Sequence, residues 1–147
     1  MNVGRPKMPD HLLLDTCACL WLMHGDRMSG RSLRFIGEAQ ASRSGIYVSA
    51  ITAWEVATLV HKGRYRLLVS PKTWFSRLLA LVGVRLAELT PKILIDSTEL
   101  PGMPPADPAD RMIIATARHH GSCSGESRSE ADWLCEAGIC PDARMLR

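Results

Sequence analysis

Several features that would place this chain in a specialised class of protein are missing from its 147 residues. No apolar run approaches the ~20 residues that a transmembrane helix needs. The first ten residues are polar, lack the apolar segment of a signal peptide, and are expected to form a flexible lead-in. The five cysteines are an odd number without the spacing of a disulfide framework. That cysteine usage favours a reducing cytoplasm over an oxidising compartment.

The composition that is present is typical of a globular domain. Hydrophobic residues make up 46% of the chain and charged residues 22%, which excludes general disorder. The length predicts one domain over residues 11–147, large enough to bury roughly 68–70% of its unfolded surface. A net charge of +3 is mildly basic, so contact with nucleic acid is permitted and is not required.

Short apolar runs alternate with helical segments along the chain. Strands are predicted at Leu12–Asp15, Ile46–Ser49 and Val84–Leu89. Cap residues, glycines and prolines bound the helices, which are predicted at Thr16–Met23, Ser32–Ala41, Thr52–Lys62, Pro71–Gly83, Lys92–Leu100 and Asp107–His119. Strands that alternate with helices predict an α/β fold, in which a parallel sheet is covered on both faces.

Three acidic residues lie where such a fold gathers its ligands. Asp15 ends the first apolar run, Glu55 lies just past the second strand, and Asp110 opens the last helix. Ligands of an open α/β sheet bind outside the carboxyl ends of its strands. Carboxylate oxygens suit a hard cation such as Mg²⁺. The three acids together therefore predict a divalent-cation site.

Two of these acids also have a purely structural explanation. Glu55 is the N3 residue of a predicted capping box that begins at Thr52, and Asp110 is the N3 residue of a helix capped by Asp107. An acid in a first turn is stabilised by the helix dipole without any function. Asp15 has no such explanation, because a charge that closes an apolar strand is costly unless it is used.

Three neighbours of the acids each allow a functional and a structural interpretation. Thr16 either bonds a nearby carboxylate or caps the first helix, and Ser49 either supports the site or is a solvated strand end. Arg111 either reaches a phosphate, which suits a guanidinium, or is a surface residue. Trp54 is expected to belong to the core.

Several short segments occur in an order and at a spacing that resemble the PIN-domain ribonucleases, the toxin halves of VapBC-type toxin–antitoxin pairs. The similarity covers residues 11–121. It is carried by the segments Leu13–Thr16, Val48–Ala50, Trp54–Ala57, Lys62–Leu67, Leu100–Gly102 and Asp107–Ala115. The resemblance implies a three-layer α/β/α fold with a central parallel sheet, bound Mg²⁺ or Mn²⁺, and cleavage of RNA by a metal-activated water.

The resemblance also implies roles for individual residues. Asp15, Glu55 and Asp110 match the family's catalytic acids, with Asp15 and Asp110 as metal ligands and Thr16, Ser49 and Arg111 in support. The implied partners are RNA and a VapB-type antitoxin, and the implied state is a cytoplasmic homodimer that does not contact a membrane. The apolar run Leu20–Met23 beside Asp15 is expected to be exposed and to form the groove for the antitoxin.

The resemblance fails after Gly121. There the family has an apolar strand followed by a fourth acid, whereas residues 122–135 are rich in serine, glycine and glutamate and cannot form a buried parallel strand. Shifted by one base, the codons of this segment can specify an apolar strand, an acid and an amphipathic helix. Two compensating frameshifts would explain the segment, and a divergent loop is the alternative.

Two other functions stay open beside a metal-dependent ribonuclease. The first is a catalytically impaired PIN-like protein that only binds RNA or an antitoxin-type partner. The second is a phosphotransfer receiver, which also gathers acids at strand ends. A receiver would need a phosphoacceptor aspartate and a lysine after a late strand, and neither is visible in the sequence.

Overall fold

The computed structural model describes residues 12–25, 30–41 and 45–120. Its strands form one parallel sheet in the order β1–β2–β3, with bounds β1 Leu12–Leu14, β2 Ile46–Ser49 and β3 Val84–Ala87. Leu14 lies opposite Val48, and Ser49 lies opposite Ala87. The carboxyl ends of all three strands therefore meet at one edge of the sheet.

Helices follow every strand in the described ranges. Their bounds are α1 Thr16–His24, α2 Gly30–Ala41, α3 Ala50–His61, α4 Pro71–Leu79, α5 Pro91–Asp96 and α6 Pro108–His119. None of these described helices is long and apolar enough to cross a membrane.

Alternate strand residues pack into two separate cores, one on each face of the sheet. Leu14 and Val48 belong to a large cluster that also holds buried residues of α1–α4. Leu13, from the opposite face of β1, packs with Ala87 and with Ile113 of α6. Burying each such side chain stabilises the fold by about 1.5–3 kcal/mol. Helices thus cover both faces, and the predicted three-layer α/β/α arrangement is confirmed.

Most predicted boundaries agree with the structure within two residues, but α4 and α5 end earlier than expected. α4 stops at Leu79 rather than Gly83, with the N–H of Ala80 closing its last turn. α5 stops at Asp96 rather than Leu100. The hydroxyl of Ser97 donates to the carbonyl of Leu94, and such local side-chain bonds compete with helix continuation.

Two predictions concern segments whose structure is not described. The flexible lead-in of residues 1–10 and the atypical segment 122–135 both lie outside the described residues. The interpretation of residues 11–147 as a single domain therefore stays a prediction.

Candidate functional site at the carboxyl ends of the strands

Asp15 connects the end of β1 to the start of α1. It is only 6% exposed, and its Oδ1 accepts a hydrogen bond of 2.8 Å from the backbone N–H of Ala18. Asp15 is therefore the N-cap of α1, and the expectation that it has no structural explanation is wrong. The cap offsets part of the cost of burying a charge, because the positive end of the helix dipole favours a carboxylate there.

The start of α3 also differs from the sequence prediction. Ser49 is its N-cap, with Oγ accepting from the N–H of Ile51 at 3.2 Å, so the capping box predicted at Thr52 is wrong. The helix begins directly at the end of β2, and a serine at that junction is as good a cap as a threonine. Glu55 therefore lies in the second turn and has no capping role. Ser49 is fully buried, so it is not a solvated strand end either.

A hydroxyl links the residue after Asp15 to Glu55. Oγ1 of Thr16 donates to Oε1 of Glu55 at 2.6 Å, and the hydroxyl of Thr52 lies 3.4 Å from the same Oγ1. The predicted bond between Thr16 and a carboxylate is confirmed, whereas its capping alternative is wrong because Asp15 is the cap. Thr52 was missed as a neighbour of the site, since its apparent capping role hid that it faces inward.

The thiol of Cys19 lies close to both carboxylates. It is fully buried, and burial raises its pKa well above the usual value, with further contributions from electrostatic interactions with Asp15, Cys17 and Glu55. Asp15 and Glu55 therefore act on one and the same buried atom. The raised pKa favours the neutral thiol. Hard cations such as Mg²⁺ prefer oxygen donors, so the carboxylate and hydroxyl oxygens of this cluster are its candidate ligands.

Asp110 lies in the first turn of α6, the helix whose buried residues pack on the opposite face of the sheet from those of α1. Asp107 is the N-cap, and its Oδ1 accepts from the N–H groups of Ala109 at 2.8 Å and Asp110 at 3.1 Å. The predicted cap and the first-turn position of Asp110 are confirmed. One turn later, Ile113 packs in the same cluster as Ile51 of α3, so α6 and α3 are in contact.

Arg111 has a specific partner in the loop before α6. Its Nε donates to the carbonyl of Pro105 at 2.6 Å, and the side chain is half-buried. This contact ties the loop to the first turn of the helix. Arg111 is therefore a half-buried residue with a structural partner, and its contact with a phosphate stays a prediction.

The donor atoms in the described part of the site suit Mg²⁺ or Mn²⁺, although few acidic side chains there lie close together. No three His, Cys, Asp or Glu side chains in the described ranges lie where they could hold one metal ion together. Mg²⁺ commonly takes one or two carboxylates and keeps several waters, so a cluster of oxygen donors around Asp15 and Glu55 fits it. The metal-ligand roles of Asp15 and Asp110 stay predictions.

Two apolar predictions need correction. The run beside Asp15 is less exposed than predicted, because Leu20 is buried and the half-buried Leu22 and Met23 pack against the core, while Trp21 is also half-buried. Trp54 is 61% exposed rather than buried. The helical period explains this, since Trp54 lies two residues, or roughly 200°, from each of the buried residues Thr52 and Val56.

Comparisons with known proteins agree with this architecture. The family model described as PIN domain matches residues 12–123. A curated relative, ribonuclease VapC22 of Mycobacterium tuberculosis (strain ATCC 25618 / H37Rv), is 33% identical over 111 residues, which cover 75% of this chain and 81% of the relative. No solved structure gives a significant match. A match to this family is evidence against the alternative of a receiver domain. The match ends at Cys123, close to Gly121, where the sequence resemblance also ends.

Proposed function

The chain belongs to the PIN-domain family, and from that membership we propose that it is an endoribonuclease that depends on Mg²⁺ or Mn²⁺. The observation that carries the proposal is the contact between Thr16 and Glu55, which gathers the carboxylates of Asp15 and Glu55 at adjacent strand ends. The relative named a ribonuclease supports RNA as the substrate.

The proposed roles follow from where each side chain is held. Asp15 and Asp110 would hold the metal, which when bound supplies an activated water and neutralises charge on the phosphate. Glu55 acts as the third catalytic acid. Thr16 orients the Glu55 carboxylate through its 2.6 Å hydrogen bond, so that this oxygen keeps one position. Ser49 caps α3 directly at the end of β2, which fixes how far Glu55 lies from that strand end.

We further propose that the protein is the toxin of a toxin–antitoxin pair and acts in the cytoplasm as a homodimer. The support is its similarity to a VapC ribonuclease, which favours a VapB-type antitoxin as the partner. The run Leu20–Met23 offers an antitoxin less apolar surface than predicted, because Leu20 is buried and Leu22 and Met23 pack against the core.

The alternative is a catalytically impaired PIN-like protein that only binds RNA or an antitoxin-type partner. The sequence of residues 122–135 favours it, because that segment lacks the apolar strand that the family has before its fourth acid. The two proposals differ in one property, which is the cleavage of a phosphodiester bond.

Cleavage of labelled single-stranded RNA in Mg²⁺, in Mn²⁺ and in EDTA tests the proposal. We expect products in either metal and none in EDTA, with activity restored when the metal is added back. Cleavage that persists in EDTA would contradict the metal mechanism. RNA binding without cleavage in any metal would instead favour the impaired protein.

A further inference from the structure

The charges of this chain are unevenly distributed. Between Glu55 and Glu88 the sequence contains six lysines and arginines and no aspartate or glutamate, although the net charge of the whole chain is only +3. The rest of the chain is therefore net acidic. The basic segment begins in α3, the helix that carries Glu55, and continues through α4 to β3.

The loop between α3 and α4 holds its cations outward. Tyr65, Leu67 and Val69 pack against the large core cluster, while Arg64 and Arg66 alternate with them and are exposed. The backbone N–H groups of Arg64 and Tyr65 both bond the carbonyl of Leu59, at 2.9 and 3.3 Å. The loop is thus anchored on its inner side, so both guanidinium groups are presented from a fixed backbone.

Further exposed cations flank this loop. Lys62 caps the end of α3, and Lys72 lies in the first turn of α4, with both side chains exposed. Within the described ranges, an ion pair joins Nζ of Lys92 to Oδ2 of Asp96 at 2.6 Å on α5. It does not involve Lys62, Lys72 or the two arginines of the loop. We name Lys62, Arg64, Arg66 and Lys72 the cationic surface.

An exposed aromatic side chain lies on the same helix as Glu55 and the first of these cations. Trp54 is 61% exposed on α3, next to Glu55 in sequence, and His61 is exposed two turns further along the same face. The helix rises 1.5 Å per residue, so Lys62 lies about 10 Å along the axis from Glu55. A short stretch of single-stranded nucleic acid can span that distance.

We propose that the cationic surface and Trp54 form the binding surface for single-stranded RNA next to the acidic site. This inference rests on the proposed function, because an RNA substrate brings phosphates to a site whose own carboxylates repel them. The affinity for RNA must therefore come from cations elsewhere on the protein. Lysine and arginine bind the phosphate backbone, and an exposed indole stacks on a base of any sequence.

Salt dependence of RNA affinity is the sharpest test of this surface. The assay uses Asp15→Asn protein in EDTA, so that the RNA stays intact, and fluorescence anisotropy of a labelled RNA of about 16 nucleotides. Each lost phosphate contact lowers the slope of log K against log salt by about 0.7 for single strands. Arg64→Gln combined with Arg66→Gln should lower it by about 1.4 and weaken binding about tenfold or more in about 100 mM salt.

Two lysines provide a matched control. Lys72 and Lys92 both follow a proline in the first turn of a helix capped by a hydroxyl residue, and both are exposed. Lys72→Gln should lower the salt slope by about 0.7, whereas Lys92→Gln, which removes a lysine outside the surface, should leave it unchanged. Trp54→Ala should weaken RNA binding about tenfold at every salt concentration without changing the slope.

The outcomes separate this inference from the proposed function. If RNA affinity and slope are the same in the Arg64→Gln/Arg66→Gln variant and its parent, the surface does not bind RNA. That result, together with lost binding of an acidic peptide, would assign the surface to a protein partner instead. If the wild-type protein cleaves RNA but the salt slope is unaltered in the Arg64→Gln/Arg66→Gln variant, the ribonuclease proposal stands and the binding surface is rejected. If the variant has a reduced salt slope but the wild-type protein cleaves RNA in no metal, the binding surface stands and the ribonuclease proposal is rejected.

Discussion

Oγ1 of Thr16 donates a 2.6 Å hydrogen bond to Oε1 of Glu55, across a sequence separation of 39 residues. Thr16 is the first residue of α1 and is buried, while Glu55 lies in the second turn of α3. The bond therefore joins the two helices that follow neighbouring strands. It places one carboxylate oxygen of Glu55 beside the residue that follows Asp15.

Removing this hydroxyl should reduce activity more than it reduces stability. Thr16→Val keeps the side-chain shape but deletes the donor, so Glu55 loses a hydrogen bond to a charged group, worth about 1.5–3 kcal/mol when fully buried and less here. We expect about a 10–100-fold loss of RNA cleavage, the size of loss that is typical when an outer contact of a metal site is removed. Thr16→Ser restores the donor and should recover most of the activity. Equal activity in the Val and Ser variants would show that the bond has no role in catalysis.

The two tryptophans on neighbouring helices should respond very differently to truncation. Trp54 is 61% exposed and Trp74 is 2% exposed. Trp74→Ala empties a core position and should lower the free energy of unfolding by about 3–5 kcal/mol. Trp54→Ala should change it by less than about 0.5 kcal/mol. Urea unfolding of both variants measures this, and a large loss in the Trp54 variant would mean that α3 is rotated relative to its position here.

The parts of the fold in which strands and helices alternate regularly could be predicted from the sequence. β2, the cap pair Asp107 and Pro108, and the three layers all followed from local patterns that the tertiary structure supports. The site was less predictable, because a hydroxyl near a strand end has several possible partners. Thr52 was predicted to cap α3, but the helix begins directly after β2, so Ser49 is the cap and Thr52 faces inward. Trp54 was misjudged because hydrophobicity alone does not indicate which face of a helix it occupies.

The coding DNA across codons 121 to 136 tests the unusual composition of that segment. If two compensating frameshifts are present, restoring the frame returns three or four buried strand side chains, each worth about 1.5–3 kcal/mol. The repaired protein should then melt at a higher temperature and cleave RNA faster. A confirmed original frame, together with full activity of the protein as it stands, would reject the frameshift.

A direct metal-binding measurement separates metal affinity from turnover. Mn²⁺ titration followed by water-proton relaxation should show binding to the wild-type chain that Mg²⁺ competes away. Asp110→Asn should weaken this binding, because it removes one of the two proposed carboxylate ligands. Unchanged Mn²⁺ affinity in that variant would remove Asp110 from the proposed ligand set, whatever its activity.

The most direct test of the central claim compares two aspartates that have the same structural role. Asp15 and Asp107 are both helix N-caps whose Oδ1 accepts from a backbone N–H at 2.8 Å. Asparagine caps a helix about as well as aspartate, so Asp15→Asn and Asp107→Asn both remove one charge and keep the cap. Cleavage of single-stranded RNA in Mg²⁺ should fall by more than about 100-fold in Asp15→Asn, while both variants stay folded. It should change little in Asp107→Asn. Full activity in Asp15→Asn, or equal losses in both variants, would contradict a metal-dependent site at Asp15.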